Sequence, residues 1–192
     1  MKTKLFGWMT FVMMAFVCVG FAACSSDDDD NNGGGSGKSS SSGVSVKTGY
    51  GYFIKNSSGT IWEFHFCSHN MAAIPSSNAV IDLVTIDLKN EAGSTDIPVG
   101  EFSGCFAVDI LKGANAGRDN GTIYESGRRS ETTGKLTISK SGNNYTVSYS
   151  GVNLYQVDEA TDQRVGNAIV SSFSYTGPII DYPDVDWDGD DK

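Results

Sequence analysis

Glu63, His65, Cys67 and His69 stand at alternate positions, so an extended strand would turn all four to one face. Imidazole, thiolate and carboxylate are donors for zinc or copper, and two histidines on one strand face can share such an ion. His65 and His69 are therefore the candidate metal pair. A plainer reading competes with it. Trp62, Phe64 and Phe66 already supply the buried face of that strand, and the alternate residues are then its polar side. The chain has only 2 His and no CxxC pattern, so no second cluster stands ready to complete a site.

Other constellations are weaker. Asp184, Asp186 and Asp188, followed by Gly189, have the spacing of a calcium loop, in which carboxylates two residues apart converge on a hard cation. The bidentate Glu that completes such a loop is missing, and an acidic solvated tail over residues 181–192 is the better account. Cys67 and Cys105 each lie opposite the large apolar residues of their own strands. Neighbouring strands could join them in a disulfide, or they could remain two half-buried thiols. No GxSxG elbow accompanies the serines, so a catalytic triad has no support. Asp82 and Asp87 are separated by an odd number, which sends them to opposite faces of a strand and spoils them as a hydrolytic pair. Arg128 and Arg129, beside Gly127, read as a solvated turn. Tyr50, Tyr52, Tyr124, Tyr155, Tyr182 and Trp187 could form an aromatic platform for sugar rings, although strand-borne aromatics usually belong to a core.

The elements that must carry these residues are strands. Period-two alternation dominates from Val44 onward and no helical stripe is sustained. Val44, Val46, Tyr50, Tyr52 and Ile54 read as one face, and Trp62, Phe64 and Phe66 as the next strand's, with a turn at residues 56–59 between them. Residues 79–88 are apolar on both faces, as in a central strand, with a bulge expected near Asp82. Phe102, Phe106, Val108 and Ile110 follow, then loops at residues 113–121. Leu136 and Ile138 lead through a turn at residues 141–144 into Tyr145, Val147 and Tyr149. Past Gly151 the apolar phase shifts to Val152 and Leu154, as a bulge would cause. Ile169, Phe173 and Tyr175 mark the last strand. Seven to eight strands with short turns predict an all-β antiparallel sandwich, with a barrel as the alternative.

The first residues give an address. Lys2 and Lys4 precede an apolar run over residues 5–23, and small Ala22 and Ala23 precede Cys24, the layout of an export signal cut before a lipidated cysteine. Cys24-Ser25-Ser26-Asp27-Asp28-Asp29-Asp30 resembles the start of surface lipoproteins of Bacteroidetes-type bacteria. That resemblance implies acyl chains on Cys24, an acidic sorting tag and display on the outer face of the outer membrane. Residues 97–102, 134–154 and 166–179 are similar to strand and turn segments of small lipoproteins of the same bacteria. These carry no known catalytic residues.

The expected organisation is a signal at residues 1–23, a flexible acidic linker at 24–43, one β domain at 44–180 and a tail at 181–192. A coil from Ser25 to Gly43 would reach about 24 Å. With a formal net charge of −9, the chain is a poor partner for nucleic acid. The expected function is a non-catalytic binding or interaction module at the cell surface, for a glycan or a protein partner. The alternatives are a small-ligand carrier resembling calycins and, third, a hydrolase. No cofactor is expected apart from calcium at the tail.

Overall fold

Two strands of 15 residues each, β9 (Asn144–Asp158) and β10 (Gln163–Gly177), form the spine of the molecule. The computed structural model describes residues 36–55, 60–71, 79–90, 94, 96–115 and 121–181. Its other strands are β1 (Lys38–Ser42), β2 (Tyr50–Lys55), β3 (Ile61–Cys67), β4 (Val80–Lys89), β5 (Gly100–Phe102), β6 (Phe106–Asn115), β7 (Thr122–Glu125), β8 (Lys135–Ser141) and β11 (Ile179–Asp181). All belong to one mixed sheet, strongly curled into a half-barrel. The all-β class read from the sequence is the class observed. The strands thus share one sheet rather than the two of the antiparallel sandwich expected, and β11 pairs parallel with β2.

The sheet forks at β9. Residues 144–150 pair with β8, which continues to β5, whereas Tyr155–Val157 pair with β7, which continues through β6, β4, β3 and β2. Gly151, at φ +69°, sits at the fork where the β9–β10 register shifts, as the phase change in the sequence predicted. The bulge expected near Asp82 is also present, between Ile81 and Leu83. There the Asp82 carboxylate accepts the backbone N–H groups of Lys47 (2.8 Å) and Gly113 (3.0 Å), tying three segments together.

The two arms press their inner faces together. Phe66 of β3 meets Phe173 (5.2 Å between ring centroids) and Tyr175 (4.9 Å) of β10. Phe64 and Phe66 are fully buried, each contributing about 2–3 kcal/mol by leaving water. The β2 phase differs from expectation. Phe53, not Tyr52, joins Phe64 in this core, while Tyr52 turns to the outer face beside Cys67 and Leu83. Both faces of β2 are buried, so alternation carried no information about which was inner. Val44 and Val46 do enter the core, but from an irregular segment that precedes β2.

The boundary expected at residue 43 also moves. Residues 38–42, read as flexible linker, form β1 on the edge of β10, from Lys38 opposite Thr176 to Ser42 opposite Ser172. No residue of β1 is fully buried. Serine hydroxyls hold it instead: Ser39 donates to the Thr48 carbonyl (2.6 Å), and Ser42 bonds Ser172 (2.6 Å). A reading that weighed only apolar burial could not find such a strand.

Where β1, β2 and β10 meet, the Tyr175 ring lies against three glycines. A Cβ at Gly37 or Gly51 would come within 2.4–2.8 Å of the ring, and one at Gly177 within 2.8 Å of its hydroxyl. The ring's hydroxyl donates to the Pro178 carbonyl (2.7 Å), after which β11 pairs parallel with β2. Pro178 lacks an N–H and so separates β10 from β11. Gly51→Ala should destabilise the fold by about 1–3 kcal/mol through overpacking. Gly49→Ala, where nothing lies within 4 Å of the added carbon, should be close to neutral. Urea melts of the two variants check this, and equal midpoints would refute the cage.

Candidate functional site

The outer face of β2, β3, β4, β6 and β7 is organised in rows. One row is apolar, with Tyr50, Cys67, Leu83, Leu111, Ile123 and Val157 each opposite the next. The next row is Tyr52, His65, Thr85, Asp109 and Glu125. The third places Glu63 directly opposite Asp87. Glu63, His65, Thr85, Asp87 and Asp109 are all less than a tenth exposed. Carboxylates opposite or diagonal to one another in such burial repel strongly.

Two devices partly offset that repulsion. His65 Nε2 bonds Glu63 Oε1 within β3. From above, Arg129 Nη2 reaches Asp87 Oδ2 at 3.2 Å. Arg129 belongs to a single 3₁₀ turn, Arg129–Glu131, which is fixed to β6 by local hydrogen bonds. The Val108 N–H donates to Ser126 Oγ (2.9 Å), Ser126 Oγ bonds Thr132 Oγ1 (3.1 Å), and Thr132 Oγ1 donates to the Arg128 carbonyl (3.2 Å). Arg129 is thus an ion-pair partner laid over the array, not the solvated turn residue expected. Asp87 Oδ1, His65 Nδ1 and Arg129 Nε remain buried without a hydrogen-bond partner among the described residues.

The electrostatic result is a set of acidic groups held above the ordinary carboxylate range. Burial, then the Glu63 carboxylate, push Asp87 up to about 6 against the pull of Arg129 and His65. Burial and the neighbouring Asp87, Glu125 and Glu63 hold Asp109 well above the usual carboxylate range. Burial also raises Glu125, with Asp162 adding to the rise and Arg164 opposing it. Acids tuned in this way can serve as proton donors near neutrality. Such chemistry needs a substrate within reach, and these side chains are covered.

The other residues singled out in the sequence are placed as follows. His69 stands beyond the end of β3 with Nδ1 against Ser68 Oγ (2.9 Å), so the structure engages His65 and His69 with different partners. Among the described residues no group of three or more His, Cys, Asp or Glu has metal-holding geometry. Cys67 and Cys105 are both free, which corrects the disulfide considered above. Cys67 pairs with Leu83 at one end of β4, and Cys105 accepts the Lys89 N–H at the other. Six residues of strand put them roughly 20 Å apart, well beyond disulfide reach. They also face differently, since Cys67 joins the outer cluster whereas Cys105 packs against the inner core. Asp82 stays apart from Asp87, as expected. The aromatic platform does not assemble among the described residues: Tyr52 is buried in the outer cluster, Tyr124 packs on the inner core and Tyr155 lies under Arg164 (4.3 Å). Cys24, Tyr182, Asp184, Asp186, Trp187 and Asp188 lie outside the described residues. No helix among the described residues is long and apolar enough to cross a membrane.

The sequence showed Glu63 and His65 on a shared face but missed Asp87, Asp109 and Arg129 as their neighbours. A signal was present. Asp87 and Asp109 stand in strands that are mostly apolar on both sides, where a carboxylate must face another element. Neither a family model, nor a curated protein, nor a solved structure matches the chain.

Two expectations follow. The folded state holds the Asp87 and Asp109 protons more tightly than the unfolded chain does, so ionising them opposes folding. For Asp87 that stabilisation is complete below the ordinary 3.8 and is lost as pH rises through about 6. Thermal melts should show the protein more stable at pH 5 than at pH 7.5, by roughly 1–2 kcal/mol. Asp109→Asn should raise stability at pH 7.5 and shrink that difference; a variant weaker than the parent at pH 7.5 would count against the array. Separately, alkylation of the unfolded chain without reductant should label both Cys67 and Cys105, with labelling of the folded chain slow at Cys67, whose thiol burial pushes up. Failure to label either in the unfolded chain would restore the disulfide.

Proposed function

We propose that the chain is an acyl-anchored lipoprotein of the outer cell surface whose β domain is a non-catalytic binding module. One observation supports the binding part most. Both internal places where chemistry or a ligand could be housed are filled or covered. The inner face of the half-barrel is packed by aromatic rings that touch one another across the arms, and the acidic array outside is almost wholly shielded. A carrier needs an unfilled apolar interior, and a hydrolase needs carboxylates that a substrate can touch. Recognition therefore falls to the outer surface, and a protein partner gains over a glycan because the tyrosines among the described residues do not assemble into a platform.

The anchor part rests on Lys2, Lys4, the apolar run and Cys24. With β1 beginning at Lys38, fewer residues separate Cys24 from the β domain than the boundary at residue 43 gave. The domain would stand close to the bilayer, presenting there the end of β10 that pairs with β1. Cells fed labelled palmitate should incorporate it into this chain, and Cys24→Ala should abolish the incorporation. External protease should remove the β domain from intact cells. Label that persists without Cys24, or a domain protected in intact cells, would defeat the anchor or the surface display respectively.

A further inference from the structure

No further inference is drawn: the strongest candidate, the acidic side-chain cluster of Glu63, Asp87, Asp109 and Glu125 on the outer face of β3, β4, β6 and β7, belongs to the site already described, and no second feature among the described residues points to a ligand for it.

Discussion

The half-barrel is held shut at one ring. Tyr175 sits near the end of the longest strand, against Gly37 before β1, Gly51 of β2 and Gly177 of β10 itself. Three backbones can approach one aromatic side chain only because none of them carries a Cβ there. The contact joins the first edge of the sheet, its spine and its last antiparallel strand, and the Phe66 ring lies on its inner side. Pro178 then ends the ladder, and β11 crosses to pair parallel with β2. Were that seat filled, β10 could still pair with β9, but β1 and β11 would lose the geometry that brings them to their partners.

Closure of this kind explains why the central strands are buried on both sides. Their inner face is pressed against the β8–β10 arm, and the turn that carries Arg129 lies over part of their outer face. A strand with two covered faces has no solvent side on which to place polar residues. The charges of β3, β4 and β6 are consequently trapped, and they respond in the two ways open to buried acids, pairing or keeping the proton. Glu63 pairs with His65 and Asp87 with Arg129, while burial and the neighbouring Asp87, Glu125 and Glu63 hold Asp109 well above the usual carboxylate range. The array follows from the architecture before any function is asked of it.

What the sequence disclosed divides along the same line. Features set by local chain geometry were legible: the all-β class, the bulges at Asp82 and Gly151, and the tight turn that places Ser141 opposite Asn144. Features set by what lies across a face were not. Alternation put Tyr52 inside because it cannot rank two buried faces, and it ran Phe102 on into Phe106 although β5 leaves that strand to pair with β8. It also found Glu63 and His65 without Asp87 and Asp109, since cross-strand neighbours depend on register. β1 was invisible for a third reason, because its stability comes from serine hydroxyls and an available edge rather than from apolar burial.

That last case bears on how the edge of β10 is used. A Ser-rich segment with no apolar side chain to bury became a strand because an unpaired edge was beside it, and ladder and hydroxyl hydrogen bonds suffice once closure entropy is low. Past Gly43 the chain turns away, and residues 163–169 of β10 meet no described strand on that side. The difference is that the free half adds Val165, Ile169 and Val170, side chains that gain by burial, to groups that already gain by pairing.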